Sequence, residues 1–122
     1  LLVSGVADAI RNSRATRIYI SNLMTQPGET VGYSAADHVR AISDHGGKGL
    51  IDCVILNSGE FAPEVEKRYR SQGAYPVRGD VPQLERMGLR CIEENILEQH
   101  GKVRHDGRRL ARLLLREFID RR

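Results

Sequence analysis

The run LIDCVILN, at residues 50–57, constrains the fold more than any other stretch of the sequence. Apart from Asp52 and the terminal Asn57 it is apolar throughout, a pattern typical of a β-strand that is covered on both faces. Such a strand needs other elements packed above and below it, and 122 residues with 40% apolar side chains are enough for one small domain of this kind. Because the chain has four Tyr, two Phe and no Trp, the core must be mainly aliphatic.

Helical and extended patterns alternate along the rest of the chain. Leu2, Val6 and Ile10 recur four residues apart, which indicates one face of a helix. Strands that alternate with helices are expected to be parallel and joined by right-handed crossovers, so the sequence predicts a layered α/β fold with a mostly parallel sheet. The predicted helices are 1–13, 35–45, 63–70, a brief one opened by Pro82 and a last one after Asp106. The predicted strands are 16–21, 50–57, 75–77 and 89–97.

Capping residues mark where several of these helices begin and end. Ser34 and Asp37 stand three residues apart, as in a capping box, and Pro63 suits the first turn of a helix. Gly73 and Gly88 stand where a helix would stop. The last helix is predicted to carry one apolar stripe, made of Leu110, Leu113, Leu114, Phe118 and Ile119.

A polar loop, NLMTQPGET at residues 22–30, follows the first predicted strand. Loops at the carboxyl ends of parallel strands are where such sheets bind ligands, and this loop has that position. Its polar groups could recognise a nucleobase or a sugar beside a glycine that lets the backbone come close. On spacing alone, a plain loop held by its own hydrogen bonds is the simpler interpretation, since Pro27 and Gly28 also fit a type II turn. The candidate ligand-binding residues here are Asn22, Thr25, Gln26, Gly28, Glu29 and Thr30.

Further candidates lie at Asn57 and in the segment VRHDG, residues 103–107. Asn57 ends the buried strand, where a polar side chain either contacts a ligand or fixes its loop. Asp106 is a candidate helix N-cap, and the free N–H groups of a helix N-terminus attract phosphate. Arg104 has a planar guanidinium that can bind one phosphate through two parallel hydrogen bonds, and His105 could donate a hydrogen bond to the same phosphate. The alternative is a capped helix whose Arg104 and His105 face water.

Composition argues against several classes of protein. The net charge of +3 does not by itself indicate a nucleic-acid binder, and the basic segment 101–122, with a local net charge of +5, is most simply a solvated helix face. Cys53 and Cys91 have no CxxC partner, so we expect buried thiols of a cytoplasmic protein and no metal site. No apolar run is long enough to span a bilayer, and no signal peptide is expected. No catalytic motif emerges, so no catalytic residue is assigned.

The segments NLMTQPGETVGYSAADHV, IDCVILN, KRYRSQGAYPV and VRHDGRRLARLL resemble, in that order, the C-terminal part of the gluconeogenesis-factor (YvcK-type) family. These are CofD-like proteins related to 2-phospho-L-lactate transferase. The resemblance implies a Rossmann-like α/β fold, a three-layer sandwich. It also implies that residues 1–122 are a single domain, the C-terminal portion of a protein whose Gly-rich phosphate loop lies in an N-terminal part absent here. Arg68 and Tyr69, in the third segment, are expected to pack their helix against the sheet.

The resemblance further implies a regulatory protein that binds a nucleotide sugar, with UDP-sugars as the leading class, and that acts in carbon metabolism and in cell-wall or cell-shape control. The resemblance also implies that Arg104 binds the ligand and that the loop 22–30 lines the ligand pocket. The transferase branch, which uses GDP and a deazaflavin, has a glycine-rich segment in place of NLMTQPGET, so catalysis is not expected. A transferase and a basic adaptor for an acidic partner remain alternatives, and a homodimer remains open.

Overall fold

The computed structural model describes residues 4–12, 14–28, 30, 32–47 and 49–119, and of residues 4–7 it describes the backbone only. The helices are α1 (Ser4–Asn12), α2 (Ala35–Gly46), α3 (Pro63–Arg70), α4 (Val81–Arg86) and α5 (Gly107–Leu114), which continues as a π-helical turn (Leu115–Ile119). The strands are β1 (Ile18–Ile20), β2 (Cys53–Asn57), β3 (Arg90–Glu94), β4 (Leu97–Glu98) and β5 (Arg104–His105). Leu2, in the predicted first helix, lies outside the described residues.

A three-stranded parallel sheet forms the middle of the molecule, in the order β1-β2-β3. Cys53 of β2 lies opposite Ile18 of β1 on one side and opposite Arg90 of β3 on the other. β2 is buried from Cys53 to Leu56, whereas every residue of β1 is half-buried. The prediction that the run 50–57 supplies a strand covered on both faces is therefore confirmed.

The two faces of β2 pack against different helices. On one face, Val54 and Leu56 form a buried cluster with residues of α2 and with Leu84 of α4. On the other face, Ile55 clusters with Leu113 of α5 and with the buried Leu23, Ile96 and Leu97. Side chains alternate along a strand, so successive residues of β2 supply the two clusters in turn. The result is the α/β three-layer sandwich that the sequence predicts.

Local capping fixes the start of α2 as expected. The Ser34 hydroxyl accepts a hydrogen bond from the Asp37 backbone at 3.1 Å, and the Asp37 carboxylate accepts one from the Ser34 backbone at 2.9 Å. Because a carboxylate that accepts backbone N–H bonds is favoured in its charged form, the Ser34 amide lowers the pKa of Asp37. The helix ends at Gly46, and the residue that caps it, Gly47, has a φ of 88°, which suits a residue without a side chain.

The predicted strand 89–97 is wrong in one respect, because the structure divides it at Asn95. β3 ends at Glu94, and β4 pairs antiparallel with β5, a strand that the sequence did not indicate. Part of the cause is local: the Asn95 side chain accepts a hydrogen bond from the Leu97 backbone at 3.1 Å, which helps to turn the chain out of the sheet.

Two smaller predictions also fail. The predicted strand 75–77 contributes one isolated antiparallel bridge, between Pro76 and Met24. Ile119 does not join the apolar stripe, since it is 53% exposed. Residues 115–119 form a π-helical turn, so the three- and four-residue spacing of an α-helix, on which the predicted stripe depends, does not continue to Ile119. Across the described residues, we find no helix with the length and apolar character needed to cross a bilayer.

Candidate functional site

The carboxyl ends of the parallel strands meet at one edge of the sheet, and the β4–β5 hairpin folds back over that edge. His105 of β5 lies beside the end of β1, with its Nε2 atom 2.9 Å from the carbonyl oxygen of Ser21. Asp106 is fixed at the same edge, because its backbone N–H donates to the carbonyl of Ile96 at 2.7 Å. The hairpin thereby brings the segment 103–107 next to the loop 22–30, although some 80 residues separate them in the chain.

A shallow groove of about 360 Å³ opens between this hairpin, the loop and α3. We call it the Arg104 groove. Four of the predicted ligand-binding residues, Asn22, Gln26, Arg104 and His105, meet in it. The full lining is Asn22, Leu23, Met24, Gln26, Tyr69, Val103, Arg104 and His105.

Arg104 has the freedom that an anion-binding side chain needs. Its side chain is 66% exposed, and its Nε atom donates to the Glu98 carboxylate on the neighbouring strand. An exposed ion pair of this kind contributes little to stability. A phosphate could therefore compete with Glu98 for the guanidinium, whose fork matches phosphate oxygens geometrically.

His105 is oriented by the end of β1. A carbonyl oxygen can only accept a hydrogen bond, so the contact with Ser21 requires the hydrogen of His105 to be on Nε2. In the neutral ring, Nδ1 is then an acceptor. His105 is half-buried, and the same contact holds the ring in the wall of the groove.

Tyr69 also lines the Arg104 groove, although the sequence does not predict it as a site residue. Its hydroxyl oxygen accepts a hydrogen bond from the Val103 backbone at 2.8 Å, so α3 holds the hairpin in position. Arg68 supports this arrangement, because its guanidinium donates to the Gly101 carbonyl at 2.8 Å and lies 5.4 Å from the centre of the Tyr69 ring. No spacing signal connects residues 69 and 103, and only the three-dimensional fold shows that they are neighbours.

The remaining polar residues of the loop bond largely to their surroundings. Thr25 is 5% exposed and exchanges two hydrogen bonds with the Tyr75 backbone, at 2.8 and 3.0 Å. The Thr30 hydroxyl accepts from the Gln26 backbone at 2.6 Å. Gly28 has a φ of 76°, as the turn after Pro27 requires. Glu29 lies outside the described residues.

Asn57 and Asp106 are both engaged in fixing the backbone. The Asn57 side-chain oxygen accepts from the backbone of Gly59 at 2.9 Å and of Ile96 at 3.2 Å. A Cβ atom at Gly59 would lie 2.3 Å from the Asn95 side-chain oxygen, so a larger residue there would displace the Asn95 amide. The Asp106 carboxylate caps α5, accepting from the backbone of Arg108 at 3.1 Å and of Arg109 at 3.2 Å.

The two cysteines are free thiols on neighbouring strands of the sheet. Burial raises the pKa of both Cys53 and Cys91, which disfavours the reactive thiolate. Within the described ranges, no group of three or more His, Cys, Asp or Glu side chains could hold a metal ion.

The layered parallel sheet, with a groove at the carboxyl edge of its strands, defines a Rossmann-like α/β protein. The family model described as 2-phospho-L-lactate transferase CofD matches residues 1–97. Since this match covers most of the chain, the protein belongs to the CofD family.

Within that family, the chain resembles proteins named for gluconeogenesis. It is 40% identical over 116 residues to the gluconeogenesis factor of Bacillus subtilis, covering 94% of this chain and 37% of that protein. It is 43% identical to a putative gluconeogenesis factor of Thermoanaerobacterium thermosulfurigenes, covering 94% of this chain and 36% of that protein. A crystal structure of a UPF0052 family member from Bacillus halodurans superposes with a TM-score of 0.90 at 36% identity, covering 94% of this chain and 37% of that one. The chain thus spans well under half the length of these relatives.

Proposed function

We propose that the protein is a regulator that binds a nucleotide sugar, with a UDP-sugar as the leading class, and that the Arg104 groove forms part of the binding site. The observation that carries the proposal is the convergence of Asn22, Gln26 and Arg104 on one groove from distant parts of the chain. Hydrogen bonds within the loop 22–30 could explain why Asn22 and Gln26 are polar. They do not explain why Arg104, from a hairpin some 80 residues later, lines the same groove. The names of the relatives support a role in carbon metabolism.

The chemistry of the groove suits the parts of such a ligand. The guanidinium of Arg104 would bind a phosphate of the diphosphate, exchanging its exposed ion pair with Glu98 for charge-assisted hydrogen bonds to phosphate oxygens. The side-chain amides of Asn22 and Gln26 offer both donors and acceptors, which are needed to recognise sugar hydroxyls or the edge of a base. The other proposed site residues would act indirectly, and those with described contacts would hold the backbone of the pocket in place. The full set of these residues is Thr25, Gly28, Glu29, Thr30, Asn57 and Asp106.

Further parts of the proposal concern the whole protein. A groove of about 360 Å³ is at the small end for a ligand of this size. We therefore propose that residues 1–122 form one domain, the C-terminal portion of a longer CofD-like α/β protein, and that a phosphate loop in the preceding part contributes to the site. We also propose control of cell wall or cell shape, a cytoplasmic location, no nucleic-acid partner, and a homodimer. Sedimentation velocity would test the last of these.

Calorimetry with UDP-N-acetylglucosamine tests the proposal directly. We expect Arg104→Ala to weaken binding roughly tenfold or more, since a hydrogen bond to a charged group contributes about 1.5–3 kcal/mol. Arg112→Ala is the matched control, because Arg112 is also exposed but lies on α5 outside the groove. Binding that Arg104→Ala retains would refute the placement of the ligand in the Arg104 groove, and absence of binding to the intact unmodified protein would refute the UDP-sugar proposal.

A transferase of the 2-phospho-L-lactate type is the second candidate, favoured by the description of the family model that matches the chain. It predicts that a GDP-linked substrate is consumed in the presence of a deazaflavin acceptor, whereas a regulator binds without turnover. Chromatography of the nucleotide products separates these outcomes. The third candidate, a basic adaptor for an acidic partner, predicts binding that weakens steeply as salt is raised.

A further inference from the structure

A second groove, of about 520 Å³, lies against the same loop but is separate from the Arg104 groove. Thr25 lines it, whereas its neighbours Met24 and Gln26 line the Arg104 groove, as expected when side chains alternate along an extended segment. We call it the tyrosine–arginine groove. Its lining is Thr25, Gly32, Tyr33, Glu66, Arg70, Tyr75, Pro76 and Arg78.

Two guanidinium groups face this groove from different elements. Arg70, near the end of α3, is paired with Glu66 one turn earlier, at 2.6 Å. Arg78 belongs to the segment that leads to α4, and it donates to the carbonyl oxygen of Gly32 at 3.2 Å. Both arginines are exposed, so each keeps N–H groups that can turn toward an anion. With one carboxylate and two guanidiniums, the lining carries a formal charge of +1.

Two tyrosine rings accompany the arginines. Tyr75 is fixed by its backbone bonds to Thr25 and by the guanidinium of Arg70, which lies 5.1 Å from the centre of its ring. Tyr33 is 43% exposed, and the centre of its ring lies 5.4 Å from the centre of the His38 ring. An exposed aromatic face can stack against a planar ring, and a guanidinium can bind a phosphate through two hydrogen bonds, so the lining offers a partner for each part of such a ligand.

We infer that the tyrosine–arginine groove binds a second small molecule, in which a planar ring carries a phosphate, as in a nucleoside monophosphate. Its volume lies within the range of small-molecule sites, about 300–1,000 Å³. The phosphate would be held by Arg78 and Arg70, and the ring would lie against Tyr33. The Thr25 hydroxyl, which accepts a bond from the Tyr75 backbone, still has its hydrogen to donate to the ligand. This inference does not depend on the nature of the ligand in the Arg104 groove.

The experiment is calorimetric titration of the protein with the four common nucleoside monophosphates, with adenosine and with inorganic phosphate. We expect at least one monophosphate to bind more tightly than both adenosine and phosphate, because the groove contacts both halves of the ligand. Arg78→Ala and Tyr33→Ala should each weaken that binding roughly tenfold. Arg112→Ala, on a remote helix face, should leave it unchanged. Both test residues are exposed, so circular dichroism melting is expected to show that the variants remain folded.

The Arg104→Ala variant separates this inference from the proposed function. If the second groove is a site, Arg104→Ala binds the monophosphate as the unmodified protein does. If the monophosphate is lost in Arg104→Ala and kept in Arg78→Ala, it occupies the Arg104 groove and the inference is overturned. Absence of any monophosphate binding at millimolar concentration also overturns it. Neither of these results bears on whether Arg104→Ala weakens binding of UDP-N-acetylglucosamine.

Discussion

At the scale of single residues, Asp52 explains why a charged side chain interrupts the buried run 50–57. Its carboxylate accepts hydrogen bonds from Nε and Nη2 of Arg17, at 2.9 and 2.8 Å, and from the Arg17 backbone N–H at 2.8 Å. Arg17 in turn donates to the carbonyl oxygens of Arg11 and Gly49, at 2.9 and 2.7 Å. The pair thus ties α1, β1 and the entry to β2 together at the edge of the sheet opposite the candidate site.

This pair predicts a pH dependence of stability. The side-chain bonds to Arg17 lower the pKa of Asp52, so folding is favoured by the ionised carboxylate. That contribution is fully present above the ordinary aspartate pKa of about 3.9 and is lost as pH falls through the lower pKa of the folded state. Asp52→Asn should therefore lower the melting temperature at pH 7, and its deficit should shrink as the pH is lowered below about 4. Asp44→Asn, which removes an exposed carboxylate, is the control. A deficit that stays constant with pH would contradict the prediction.

At the scale of elements, the sequence predicts best what is decided locally. The start of α2 follows from Ser34 and Asp37, and the start of α3 follows from Pro63, because these signals act within one helical turn. The sequence does not predict the β4–β5 hairpin, because part of its cause is distant. The Asn57 side chain, some 40 residues earlier, accepts from the Ile96 backbone and helps to turn the chain after β3.

The helix cap gives the second stability prediction. Ser34→Ala should reduce the free energy of unfolding by about 1 kcal/mol, because the first turn of α2 loses its side-chain acceptor. Ser34 is 2% exposed, so water cannot easily replace the lost oxygen. Ser58→Ala, at an exposed loop position, serves as the matched control. Urea denaturation would measure both, and equal stabilities for the two variants would show that the cap contributes nothing.

At the scale of the whole molecule, the three layers could be predicted from alternation and from one buried strand, but the grooves could not. The Arg104 groove needs residues 22–24, 26, 69 and 103–105 together, and only tertiary packing determines which of these segments meet. The four predicted residues in it were found from their position after strands or at a helix start. For Tyr69 the sequence predicts only a packing role, since nothing local connects α3 to the hairpin.

The sandwich also predicts that both helix layers unfold together. Leu84 packs on one face of β2 and Leu113 on the other, and both are 0% exposed. Leu84→Ala and Leu113→Ala should each lower the free energy of unfolding by about 2–5 kcal/mol. Leu115→Ala should change it by about 0.5 kcal/mol or less, because Leu115 is 47% exposed. If residues 1–122 are one domain, fluorescence and circular dichroism will report a single coincident transition for every variant. An early transition confined to Leu113→Ala would show that α5 unfolds separately and that the single-domain prediction is wrong.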